Sequence, residues 1–267
     1  MAERQLAEAR AYLAKARARH RLRVVIPALA VAATLVLGVL FGPSWWPSLW
    51  VETYRTAVGE RKTVALRDGS GIELNTDTEL TVRLSERARK VALTRGEALF
   101  TVVHDQRKPF EVFAHRGCIR DTGTVFDVRA EAERVSVFVI EGAVSVTAEG
   151  SRGARALQSG ERLAYNTAGD VTATERLDVG AASAWREGRL VFKGRPLAEV
   201  IAELGRYHRA TVMVITPRLK AIPVSGVFPT GDLKLALATI AAALPVTLTE
   251  VNSQLCLLDQ VEARRSR

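Results

Sequence analysis

The apolar and polar positions divide the chain into three stretches with different periods. Residues Val24–Phe41 (VVIPALAVAATLVLGVLF) are apolar throughout, and no charge appears before Glu52. From Thr56 to about Thr174 the pattern changes to short segments with a period near two: Val64-Ala65-Leu66, Ile72-Glu73-Leu74, Leu80–Leu84, Val91-Ala92-Leu93, Leu99–Val103, Phe110–Phe113, Thr124–Arg129, Arg134–Ile140, Ala143–Ala148 and Glu161–Tyr165. Turn chemistry separates them, as at Asp68-Gly69, Asn75-Thr76-Asp77 and Arg95-Gly96, and Gly96, Gly123, Gly142 and Gly160 each open or close a segment. Short strands at this spacing predict an all-β unit of sandwich, barrel or solenoid-like form.

After an alanine-rich link, Val179–Ala184, the period becomes 3.6. Leu190-Val191-Phe192 reads as a strand and Pro196 as a helix start, where its missing N–H costs least. Leu197, Val200, Ile201 and Leu204 form one apolar stripe, and Thr211–Ile215 is a strand. The plan repeats with Val224–Phe228, an N-cap at Asp232, a second stripe at Leu233, Leu237, Ile240 and Leu244, and closing strands at Val246–Val251 and Gln254–Leu258. The expected fold class is mainly β with a small α+β domain. It comprises a basic helix (1–23), one N-terminal transmembrane helix (24–46), a linker (47–55), the all-β domain (56–174), a linker (175–188), a C-terminal βαβ-βαββ domain (189–262) and a tail (263–267).

The apolar run carries the topology. At ~1.5 Å rise per residue Val24–Phe41 alone reaches ~27 Å, near the ~30 Å hydrocarbon core of a bilayer. Trp45, Trp46 and Trp50 follow it as half of an aromatic belt. The formal charge of +9 is concentrated on its other side. Arg4, Arg10, Lys15, Arg17, Arg19, Arg21 and Arg23 face only Glu3 and Glu8, so more than half of the excess precedes residue 24. Such a flank sets orientation, N-terminus cytoplasmic and C-terminal bulk periplasmic, and argues against direct nucleic-acid binding. A cleaved signal peptide is the rival reading. It lacks an A-x-A-like site, the exit being Gly42-Pro43-Ser44-Trp45-Trp46-Pro47, so a single-pass anchor in the inner membrane is expected. In the basic tail Leu6, Ala9, Leu13 and Ala16, with Tyr12 beside them, share a thin helical stripe, either a solvated juxtamembrane helix or a docking surface.

Catalytic chemistry is not legible. His20, His104, His115 and His208 have no Glu at i, i+4 and no Cys or His at metal spacing. Thr122-Gly123-Thr124 lacks the Lys and the helix of a phosphate loop. His115 and Cys118, three apart in a strand, point to opposite faces, which disfavours a dyad. Cys118 and Cys256 read as two small buried side chains in separate domains rather than a bridge. No enzyme activity, metal or cofactor is expected.

Six runs in order, LRDGSGIELNTDTEL (66–80), RKVALTRGEALFTV (89–102), KPFEVFA (108–114), DTGTVFDVR (121–129), EGAVSV (141–146) and LQSGERL (157–163), closely resemble the FecR domain of FecR-type anti-sigma regulators. WREGRLVFKGRPLAEVIAELGRY (185–207) resembles the opening of the short signalling domain that ends these regulators, and similar domains begin secretins and TonB-dependent outer-membrane transducers. The resemblance implies a transmembrane signal transducer. Its outer part would sense a ligand-occupied outer-membrane transducer, typically for a ferric siderophore, and its cytoplasmic part would control an extracytoplasmic-function sigma factor. FecR-type regulators usually carry a longer cytoplasmic region than the 23 residues here, so either the tail positions Leu6, Ala9, Tyr12, Leu13 and Ala16 suffice for the sigma factor, the start codon is misassigned, or the sigma-binding activity is gone. The transducer's signalling domain would add a strand at an open sheet edge, for which Arg189, Leu190, Val191 and Phe192, and Gln254, Leu255, Cys256, Leu257 and Leu258 are the candidates. A membrane-anchored periplasmic adaptor without sigma-factor binding is the alternative.

Overall fold

The computed structural model describes residues 50–151, 153–252 and 255–260. The basic segment 1–23, the apolar segment 24–46 and Gln254 lie outside them. Among the described residues no helix is long and apolar enough to cross a membrane. The described residues form one compact unit with two hydrophobic cores.

The first core lies between two faces of one folded-over sheet. Its strands are β1 (Trp50–Arg55), β2 (Lys62–Ala65), β3 (Gly71–Leu74), β4 (Glu79–Leu84), β5 (Arg89–Thr101), β6 (Phe110–Ala114), β7 (Gly117–Asp121), β8 (Val125–Ala130), β9 (Arg134–Glu141), β10 (Ala143–Ala148), β11 (Arg155–Gln158), β12 (Glu161–Asn166) and β13 (Glu175–Arg176). β5 belongs to both leaves. Its first half pairs with β4 and, in parallel, with β6, giving a first leaf of β1, β4, β5, β6, β7, β10 and β11. Its second half pairs with β3 and β8, giving a second leaf of β2, β3, β5, β8, β9, β12 and β13.

The expectation of two strands with a turn at Arg95-Gly96 is corrected here: β5 runs through that site and bends. A register shift between Glu79 and Leu80 leaves Thr94 as an extra residue. Gly96 sits at φ +87°, and a Cβ on it would lie 2.4 Å from the Thr78 Cα. Inward residues alternate along both leaves, as the period of two requires, and Phe100 packs its ring 5.2 Å from Phe126 and 5.9 Å from Phe110. Tyr165 on β12 crosses the core and donates its hydroxyl to the Ala114 carbonyl oxygen at 2.9 Å, tying the second leaf to the first.

Residues 50–55, read as part of a linker, form edge strand β1 against β4, with Trp50 opposite Leu84. The alternation in WVETYR is short and follows directly on the apolar run, which hid it. The Trp50 ring carries the Arg67 guanidinium 3.6 Å above it.

The C-terminal module has a helical turn α1 (Val179–Ala182), β14 (Arg189–Pro196), α2 (Leu197–Gly205), β15 (Thr211–Val214), β16 (Pro223–Pro229), α3 (Leu233–Ala243), β17 (Val246–Asn252) and β18 (Leu255–Gln260). Its strands form two small sheets, β14-β16 and β15-β18-β17. Leu197, Val200, Ile201 and Leu204 on α2 and Leu233, Leu237 and Ile240 on α3 are buried as the stripes predict, joined by Ala236, whereas Leu244, the last predicted position, is the C-cap and only half-buried. Asp232 caps α3 by accepting from the Leu235 N–H at 2.9 Å. Cys118 and Cys256 are free thiols, one in each module.

Candidate functional site

The second leaf is covered on both faces. Its outward positions form rows by strand register: Leu99, Asp127 and Phe138 in one, Glu97, Arg129 and Ser136 in the next. Most of these are buried, because the C-terminal module sits on them; Leu99 joins Trp185, Leu190, Val200, Leu204 and Tyr207 in the second core, with Val125 and Ile140 packed alongside. A trace of this was present in the pattern. Ala98-Leu99-Phe100 and Val137-Phe138-Val139-Ile140 are continuously apolar where a half-exposed strand alternates, the signature of a strand buried on both faces.

Charges stand among these apolar contacts. The Arg206 guanidinium, just past α2, donates to Glu97 Oε2 at 2.7 Å and to Glu203 Oε1 at 2.6 Å. Arg129 donates to the other Glu203 oxygen at 2.7 Å and pairs with Glu131 at the rim. Asn75 Nδ2 donates to Glu97 Oε2 at 2.7 Å and to the Tyr207 hydroxyl oxygen at 2.8 Å. Glu73 receives both Arg186 Nε at 3.0 Å and Arg186 Nη2 at 2.5 Å, a two-point contact across the junction.

The carboxyls of Glu97 and Asp127 are driven apart in acidity. Burial pushes Glu97 up, but Arg206 and Arg129 together outweigh it and hold the group below its ordinary value. Burial also pushes Asp127 up, the Glu97 charge adds to it, and the arginines do not offset the two, so Asp127 titrates well above the usual carboxylate range. Asp127 Oδ2 and Trp185 Nε1 are buried without a well-formed hydrogen bond, and the indole N–H beside the carboxyl offsets only a small part of its burial. With the proton on Asp127, the two arginines meet Glu97 and Glu203, and the buried set is neutral. Burial would lower Arg206, yet Glu97 and Glu203 raise it overall. Beside the network opens a cleft of about 280 Å³ lined by Arg95, Arg129, Arg206, Asp77 and Glu131 among others. Its arginines are already paired, Arg95 with Asp77 and Glu79. Among the described residues no group of three or more His, Cys, Asp or Glu is placed to hold a metal ion.

The strand-addition candidates fare differently. Arg189, Leu190, Val191 and Phe192 lie on β14, which among the described residues pairs with β16 alone and has one edge without a strand. Leu255, Cys256, Leu257 and Leu258 lie on β18, which runs between β15 and β17. Both of its edges are occupied, so an open edge there is corrected: the last strand enters parallel to β15 and becomes central. Gln254 and the tail residues Leu6, Ala9, Tyr12, Leu13 and Ala16 lie outside the described residues.

Residues 52–145 match the family model described as FecR protein. The chain carries a FecR domain. Two crystal structures of a candidate anti-sigma factor from Parabacteroides distasonis resemble it at 25% identity and a TM-score of 0.67. One alignment covers 79% of this chain and 99% of the other, the second 78% and 98%. The match therefore takes in both modules of this chain and not the FecR domain alone. No curated protein matches it.

Proposed function

We propose that this protein belongs to the FecR family and is a sigma-factor regulator that works as a single-pass signal transducer of the inner membrane. The observation that carries this reading is the likeness to the candidate anti-sigma factor over 79% of this chain and 99% of the other, spanning both modules. The FecR-model match supports it, as do the charge-free run Val24–Trp50 and its basic flank. In this reading the C-terminal module meets the signalling domain of an outer-membrane TonB-dependent transducer, and residues 1–23 act on an extracytoplasmic-function sigma factor. Iron-siderophore uptake is the proposed output. The open edge of β14 at Arg189–Phe192 is the proposed strand-addition site, main-chain bonds supplying affinity.

The test is twofold. Residues 1–23 fused to a carrier should co-purify a cognate sigma factor, and deletion of the gene should change the transcripts of that sigma factor under iron limitation with ligand. Unchanged transcripts would sink the regulatory role. Binding of the outer module to a transducer without any sigma-factor capture would instead identify an anchored adaptor.

A further inference from the structure

Among the described residues β1 has a partner strand on one side only. It pairs with β4, and its first two residues are half exposed. Its other end enters a knot of buried bonds. Thr56 is buried; its Oγ1 donates to the Asn75 carbonyl oxygen at 2.6 Å and accepts from the Thr78 N–H at 2.9 Å. The Thr56 N–H donates to the Thr78 carbonyl oxygen at 2.9 Å, and the Asp77 N–H to that of Ala57 at 3.1 Å. The loop after β1 and the turn after β3 are thus laced together.

The C-terminal module closes this knot from outside. Thr76 Oγ1 accepts from the Gly59 N–H at 2.8 Å and donates to the Arg206 carbonyl oxygen at 3.0 Å. Arg61 Nη1 donates to the carbonyl oxygens of Trp185 and Arg186, both at 2.7 Å. Gly59 approaches so closely that a Cβ on it would lie 3.0 Å from the Tyr207 carbonyl oxygen. Asn75, whose carbonyl binds Thr56, uses its side chain for Tyr207 and Glu97.

We infer that the C-terminal module is a latch on β1: its docking and the pairing of the strand that follows the apolar run are energetically coupled through the 56–61 loop and the 75–78 turn. The inference rests on the relay reading above, to which it adds the element that responds. A partner that draws Trp185–Tyr207 away removes the bonds to Arg61, Thr76 and Asn75 together, and β1 loses its support while the Phe-rich core keeps its own. By reciprocity of coupled equilibria, loosening β1 must also weaken docking.

Hydrogen–deuterium exchange on the full chain in detergent micelles tests this. Arg61→Ala cuts the latch from the FecR side without entering either core. Amides of residues 50–57 should exchange about tenfold faster, while residues 110–121 keep their rate. Thr56→Val cuts the knot from the β1 side and should speed exchange at residues 185–207 several-fold. An unchanged rate at 50–57 in the first variant, or at 185–207 in the second, overturns the coupling. So does an equal rise at 110–121, since the release is then global. A protein that passes this test and leaves sigma-dependent transcripts unchanged on deletion keeps the latch and loses the signalling reading.

Discussion

Replacing Arg206 by methionine keeps most of the side chain's volume and removes its charge from the junction. The Arg206 side chain is 18% exposed and its partner Glu97 10%, so neither charge is well served by water. The substitution deletes the contacts to Glu97 and Glu203 and leaves Glu97 buried with one hydrogen bond from Asn75 and the more distant charge of Arg129. Removing one partner of a buried ion pair costs ~3–5 kcal/mol, because the other charge remains in a poor solvent. For a unit of this size that corresponds to a fall in Tm of ~6–20 °C. Urea titration followed by Trp185 fluorescence and calorimetry of the same samples measures it. Arg206→Met with Glu97→Gln should recover at least ~1.5 kcal/mol, since the stranded carboxylate is gone. A loss below ~1 kcal/mol in the single variant, or strict additivity in the double one, would refute the view that this pair is buried and mutually dependent.

Asp127 should make stability depend on pH. Its folded-state pKa is raised above the ordinary value, so its contribution is full below the unfolded pKa and is lost as pH rises through the folded one. Asp127→Asn should flatten the urea midpoint from pH 4 to 8 and make the variant the more stable form at the upper end; parallel profiles would count against a shared proton. Gly96→Ala forces a Cβ against the Thr78 backbone at a positive φ and should cost roughly 3 kcal/mol or more, seen as lost soluble expression or a lowered Tm. Asp232→Ala removes the α3 cap and should cost ~1 kcal/mol by urea titration, with faster exchange of the Leu235 amide.

The strands and helices were legible where one physical signal ruled. Period two marked β4 and β10, and the α2 and α3 stripes stood out because Pro196 and Asp232 signal their starts. β5 was misread because Arg95-Gly96 is good turn chemistry, and only tertiary contact with Thr78 shows that the glycine serves a bend. β7 was missed because GCIRD carries one strong apolar residue, Ile119. The junction was less legible still. Glu97, Asp127 and Arg129 occupy outward positions of a two-period pattern, where charges are ordinary, and their partners Glu203 and Arg206 lie in another module. What sequence could offer was the unbroken apolar runs at 98–100 and 137–140, which ask for a second layer without naming it.

The β5 bend has a kinetic consequence. One backbone supplies the middle of both leaves, and its partners come from residues as early as Gly71 and as late as Ala130. Neither leaf is complete until that strand is in place; β4 reaches it through a short hairpin, but β3, β6 and β8 pair with it from farther along the chain. Such topologies close large loops before they gain stabilising contacts, so folding of this module belongs to the millisecond-to-second class of β proteins. The chain leaving a ribosome or a translocon cannot finish the first leaf early and wait. Both leaves mature together only once β9–β13, which end at Arg176, have arrived, and until then the future core strands are exposed to whatever binds extended apolar chains.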